Sequence, residues 1–395
     1  MTIAQIILTA LLIQNSVDYG EEHIFPPENF HNHSSSLVET SQGDLIACWF
    51  HGRGERTDDS LVILGARKKK GASEWSKPFL MADNQNLPDQ NCTMFIDTDK
   101  KLWLFWTSAL DNEVRSFFPK YRYSVDYEGD GPPKWEWQDA LFCRPADAEN
   151  AFGELYETRL DQLKNGDLLS GKEKEKALLQ IEERRSMFKD KLFQRLGWLP
   201  RQPPIMLQDG RMMLGLYSDT FDCSMFAFTS NAGKTWEFSR PVMAWGIQPA
   251  IVQRSNGEIL AYLRSSPATG CVKSTDQGKS WEEIPLNIPN AGSSVAVLKL
   301  KSGNWLMAVN DDPRGRHQLS LYLSSDEGES WVRKRFLERV EYGTGKATAS
   351  YPTMIQSADG VIHCTFTHVN ELKFTGKSIR HTWFTEKWLN SGNDL

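Results

Sequence analysis

The sequence predicts an all-β fold, a six-bladed β-propeller carrying an α-helical hairpin insertion. Three observations predict it. An eight-residue pattern, [ST]-x-[DN]-x-G-x-[ST]-W, occurs at 229–236, 274–281 and 324–331, with its closing Trp236, Trp281 and Trp331 spaced by 45 and 50 residues. A second unit, a turn followed by an apolar strand, occurs six times, at Gly43, Lys101, Gly210, Gly257, Gly303 and Gly360. One stretch of helical rather than alternating periodicity, at about 149–195, interrupts the series. Short strands at a regular period, bounded by turn signals, mark a closed array of blades in which each unit buries its faces against its neighbours.

Each element has a local reason. Ile3 to Ile13 is an apolar run followed by polar Gln14, Asn15 and Ser16. It has the length of a signal-peptide core and is too short to span a bilayer as a helix. It lacks a preceding basic residue and a clear cleavage site, so 1–22 reads as a signal peptide or an N-terminal extension, and 23–395 as the propeller. A cleaved leader would make the protein secreted or periplasmic. In the eight-residue pattern, Asp or Asn accepts backbone hydrogen bonds, Gly takes the positive-φ position, and Trp packs beneath the turn. Weaker relatives precede it, one ending at Trp75 and one running from Asp126 to Trp135. Within the insertion, Leu155, Leu160, Leu163, Leu178, Leu179, Ile181, Phe188 and Leu192 recur at helical spacing. Asn165-Gly166 breaks the run, and Ser170 with Glu173 reads as a capping box that opens a second helix. The hairpin is either a solvated decoration or a rim over a site.

Composition narrows the function. The 395 residues carry 45 Lys and Arg against 51 Asp and Glu, and 40% are hydrophobic, which suits a packed core and not a disordered chain. A net charge of −6 argues against nucleic acid as a partner, and the basic run at 67–70 reads as a solvated hairpin edge. Fourteen Trp suit a repeat that uses one per unit, or a sugar-binding surface. The six Cys form no CxxC or Cys/His cluster, and Cys48, Cys92 and Cys364 sit in strand-like runs as expected buried thiols. His317, His363 and His368 have no metal-ligand spacing, so no metal is assigned, and no motif implies a cofactor.

The repeated pattern is the Asp-box, or BNR repeat, and from about His31 to His381 the chain resembles the sialidase (neuraminidase) superfamily. That resemblance implies a site where the inner strands begin. His33 stands where the family has its first arginine. Arg53 matches a further arginine, and Asp58 or Asp59 matches the aspartate that acts as acid and base. Gln248 takes the place of a glutamate sixteen residues before Arg264, which matches the second triad arginine. Arg316, or Arg314, matches the third, and Tyr351 the nucleophilic tyrosine. Two departures bear on the chemistry. Histidine in place of arginine turns a fixed positive charge into one that depends on pH. Glutamine in place of glutamate removes the base that takes the tyrosine's proton.

The leading functional expectation is an exo-acting glycoside hydrolase that cleaves a terminal sugar, held by a carboxylate or another polar group, from a glycan or polysaccharide. Arg53, Gln248, Arg264 and Arg316 would contact substrate, and Asp58 or Asp59, Tyr351 and His33 would carry the chemistry. A uronate-directed polysaccharide lyase and a non-catalytic carbohydrate-binding propeller are the alternatives. All three take carbohydrate as partner, and none needs a membrane span. The sugar, the linkage and the oligomeric state are not legible.

Overall fold

The computed structural model describes residues 18–166 and 169–392. Six antiparallel sheets follow one another around an axis. Blade I comprises His31–Glu39, Leu45–Gly52, Val62–Lys68 and Phe79–Ala82. Blade II comprises Asp89–Ile96, Leu102–Ser108, Phe118–Ser124 and Trp137–Ala140. In blade III the inner strand is split into Leu199–Pro200 and Ile205–Met206, both paired with Met212–Ser218, followed by Cys223–Thr229 and Glu237–Phe238. Blade IV runs from Ile247–Gln253 to Glu282–Glu283, and blade V from Ala296–Lys299 to Val332–Arg339. Blade VI contributes Ala347–Gln356, Ile362–Asn370 and Ser378–Phe384, and takes its outer strand, Tyr19–His23, from the start of the described chain. The first and last segments are thereby paired and the ring is closed. The Ile3 to Ile13 run lies outside the described residues. Among the described residues no helix is long and apolar enough to cross a membrane.

Both repeats acquire a place. The six turn-plus-strand units join the first and second strands of the six blades, with positive φ at Gly43, Lys100, Gly210, Gly257, Gly303 and Gly360. The Asp-boxes join the third and fourth strands of blades III, IV and V. In the blade IV box, Asp276 accepts from the Ser280 backbone N–H at 2.9 Å and the Ser280 hydroxyl at 2.6 Å, while Gly278 N–H donates to Ser274 Oγ at 2.8 Å. Gln277 and Gly278 are both left-handed, φ 63° and 87°, as the tight hairpin requires. Each box tryptophan packs on the preceding blade: Trp236 on Tyr121, Trp281 on Phe226 and Trp331 on Tyr262. The repeat therefore joins blades as well as ordering a turn.

The insertion folds as helices Ala148–Asn165 and Gly171–Met187, with a short third helix, Lys191–Arg195, beyond the expected hairpin. Ser170 holds the N-cap position in extended backbone, but its side chain makes no capping bond, so the expected capping box is not formed. The first helix is not a solvated decoration. Phe152, Leu155, Tyr156 and Leu160 are buried in one cluster with Trp198, Leu214 and Phe221 of the blade III segment. Phe152 stacks on Phe221 at 4.4 Å. Arg159, almost wholly buried, donates to the Phe221 and Asp222 carbonyls and lies over Trp245 at 4.1 Å. Small polar residues pack the axis: Ser34, Ser35, Ser36, Thr93, Ser293, Ser294 and Thr353 are all fully buried.

Candidate active site at the axis

Four inner strands share one distortion. The register slips between His33 and Ser36 in blade I, Gln90 and Thr93 in blade II, Ile247 and Ala250 in blade IV, and Ser350 and Thr353 in blade VI. Each slip holds one non-glycine residue with left-handed backbone: Ser34 (φ 58°), Asn91 (φ 49°), Gln248 (φ 55°) and Tyr351 (φ 60°). A bulge of this kind re-aims a side chain, and a strained non-glycine residue persists only where its surroundings fix it. Each of the four stands nine residues before the left-handed residue of its own turn, namely Gly43, Lys100, Gly257 and Gly360.

The bulges open into a polar cavity of about 490 Å³ lined by His33, Glu55, Arg56, Asn91, Tyr217, Asp219, Gln248, Arg264, Arg316 and Tyr351. Tyr351 is its centre. Its hydroxyl accepts from Arg264 Nη1 at 2.7 Å and Gln248 Nε2 at 3.2 Å. The His33 ring rests against the Tyr351 ring at 4.1 Å between centroids, and His33 Nδ1 is 2.7 Å from Thr367 Oγ1. Burial, with the nearby cations Lys377, Arg201 and Arg316, holds His33 well below the usual imidazole range, so at neutral pH it is uncharged. Arg264 Nε and Arg316 Nη2 share one acceptor, the Gly292 carbonyl, at 2.7 and 2.9 Å. Among the described residues neither guanidinium has a carboxylate within 4.0 Å. Two half-buried, unpaired cations on one wall favour an anion between them.

On the other side, Arg56 Nη2 meets Asp219 Oδ2 at 2.7 Å, joining a loop of blade I to one of blade III. Burial raises both Glu55 and Asp219 above the ordinary carboxylate range, opposed by Arg56 and Arg264. Tyr217 accepts from Asn91 Nδ2 at 2.9 Å, and burial raises its phenol. Beneath the floor, Arg201 is fully buried and donates to the carbonyls of Tyr351 (2.6 Å), Pro352 (3.2 Å) and Ser35 (3.3 Å). It fixes the Tyr351 bulge against blade I.

The structure brings His33, Gln248, Arg264, Arg316 and Tyr351 together, and leaves Arg53, Asp58 and Asp59 outside the lining. Arg53 is largely exposed and 3.9 Å from Asp58. Asp58 caps its own turn through the Ser60 N–H at 2.7 Å, which helps hold its carboxyl below the ordinary range. Asp59 accepts from Asn112 at 2.6 Å on the surface. These side chains are engaged in contacts of their own, so the expectation that Asp58 or Asp59 lines the site is not met in this structure: Glu55, from the same loop, lines the cavity. Arg314 pairs with Asp312 and lies over Tyr342, which leaves Arg316 as the arginine of that loop at the site. Sequence reasoning passed over Glu55, Arg56, Asn91, Tyr217, Asp219 and Arg201. The nine-residue register to the turn finds two of them, because it selects Asn91 before Lys100 and Arg201 before Gly210.

Comparison with known proteins bears on the fold. The BNR repeat-like domain model matches residues 182–364. That match spans less than half of the chain, and what is shared with the solved structures is a sialidase-like propeller fold. No curated protein sequence matches it. A protein of unknown function from Dyadobacter fermentans superposes with a TM-score of 0.63 at 13% identity, covering 93% of this chain and 99% of that one. Trypanosoma rangeli sialidase gives 0.65 at 11% identity over 94% of this chain, which spans 60% of that protein. The intramolecular trans-sialidase from Ruminococcus gnavus, solved with oseltamivir carboxylate, gives 0.63 at 13% identity, covering 92% and 96%. At such identities the likeness is one of fold. What this propeller does rests on its own residues.

Proposed function

We propose that this protein is an exo-acting glycoside hydrolase that removes a terminal acidic sugar from a glycan or polysaccharide. The observation that carries the reading is the pair of unpaired guanidiniums, Arg264 and Arg316, joined through Gly292 O beside the Tyr351 hydroxyl. They are placed to hold a sugar carboxylate by charge-assisted hydrogen bonds. Arg264 and Gln248 both donate to the phenol oxygen, so the Tyr351 proton points to an acceptor outside this pair. In this reading Tyr351 attacks, or stabilises, the oxocarbenium-like centre. Glu55 or Asp219, kept protonated to higher pH by burial, supplies the leaving oxygen with its proton. The sialidase-like neighbours support the sugar as substrate class.

One observation favours a second reading, a uronate lyase. His33 is uncharged and in contact with Tyr351, which is the state a base needs in order to abstract a proton beside a carboxylate held by arginine. Digestion of sialylated glycans and uronate polysaccharides, followed both for new reducing ends and for unsaturated-uronate absorbance, separates the two. Reducing ends without absorbance support hydrolysis; absorbance transfers the assignment to elimination. Binding without either product would sink both.

A further inference from the structure

The central cavity continues into a second one of about 490 Å³, and the two share His33, Glu55 and Arg316. The second compartment lies over blades VI and I, between the loop that carries Phe30 and the one that carries Lys377. Two features set it apart from ordinary surface. Phe30 is 45% exposed, with the His51 ring tilted against it at 4.9 Å, and an exposed aromatic ring is a surface on which a sugar packs. Lys377 is half-buried, and its Nζ sits 3.2 Å from His31 Nδ1. Among the described residues no carboxylate lies within 4.0 Å of it. The nearer acids are otherwise engaged: Glu28 with His51 and Asn32, Glu371 with Lys346, and Glu55 with Arg56 and His31. Burial lowers the Lys377 ammonium, so its charge is held at a cost that an anion would remove.

We propose that this compartment is a second sugar subsite, stacked on Phe30, and that it takes a unit bearing a carboxylate or sulfate that pairs with Lys377. The preferred substrate would then carry negative charge on two consecutive units, the terminal one at Arg264 and Arg316 and the next at Lys377. This rests on the hydrolase reading for the order of the units, but not for the charge preference.

The test measures binding, not turnover, on the Tyr351→Phe protein, with and without Lys377→Gln. The probes are tetragalacturonate and its methyl-esterified form, and a sulfated chondroitin tetrasaccharide and its desulfated form. Tighter binding of each acidic probe than of its esterified or desulfated partner is expected, with Lys377→Gln weakening the acidic probe about tenfold and narrowing that difference. Lys377→Arg should keep the preference, which separates loss of charge from loss of fold. The carboxylate and sulfate pairs show which anion the subsite takes. If neither acidic probe binds more tightly than its esterified or desulfated form, or if Lys377→Gln leaves the ratio unaltered, the proposal is overturned. Discrimination through Lys377 by a protein that releases no sugar would support the anionic subsite and overturn the hydrolase reading alone.

Discussion

Gln248 and Tyr351 stand on the inner strands of blades IV and VI, 103 residues apart, and each has left-handed backbone at the same point of the same bulge. Their side chains meet at the axis, where Gln248 Nε2 donates to the Tyr351 hydroxyl at 3.2 Å. Gln248 Oε1 is buried without a partner. The amide thus occupies the position from which a carboxylate would take the phenol's proton, and it has no charge with which to do so.

Tyr351→Phe removes the oxygen that both Arg264 and Gln248 approach, while the aromatic ring and its contacts with His33 and Arg201 remain. Turnover should fall at least about a hundredfold with the thermal midpoint little changed. Equal loss of activity and stability would assign the hydroxyl a structural role.

Gln248→Glu is nearly isosteric and sets a carboxylate beside the same hydroxyl. Hydrolysis should accelerate by about a hundredfold, the lower end of what a positioned base contributes. Unchanged or slower turnover by the folded variant would show that proton removal from Tyr351 does not limit the reaction.

Glu55 and Asp219 have raised carboxyl pKa values, and an acid must be protonated to act. The rate should therefore fall as pH rises through the raised pKa of whichever residue donates. Glu55→Gln should cost about 10² to 10⁴ in rate and flatten that limb. If the limb survives in Glu55→Gln and disappears in Asp219→Asn, the acid is Asp219.

Trp281 joins blade IV to Phe226 of blade III, stacked at 4.3 Å. Trp281→Ala should destabilise the fold by about 2 kcal/mol, below the range for a fully buried aromatic because Trp281 is only half-buried. Chemical denaturation checks this, and activity at low temperature should persist.

Glu22, on the strand that closes the ring, accepts from Lys68 (2.7 Å), Trp75 (2.7 Å) and His381 (2.9 Å). Against the burial that would raise it, His381 and Lys68 pull its carboxyl down from 4.5 to about 2. A depressed carboxylate contributes stability that is present above its unfolded value and is lost as pH falls through its folded one. The thermal midpoint should therefore drop between about pH 4.5 and 2, and Glu22→Gln, already missing the ionic contribution at pH 7, should show a shallower drop across that window.

The sequence by itself determined the number of blades, the place of their turns and the helical insertion. Gly278, Asp276 and Trp281 act within a few residues of one another, and the chain reports such local chemistry directly. It also marked His33, Gln248, Arg264, Arg316 and Tyr351, through their resemblance to sialidase motif positions and not through local periodicity. Only the tertiary structure decided which carboxylates face the axis. Asp58 and Glu55 are three residues apart on one loop, and the loop's course leaves the first bonded to its own turn at Ser60 and sets the second in the cavity wall. It alone decided that Arg201 lies beneath Tyr351, and that Asp219 of blade III meets Arg56 of blade I. Closure of a ring brings distant segments to one point, and no local periodicity records which side chains meet there.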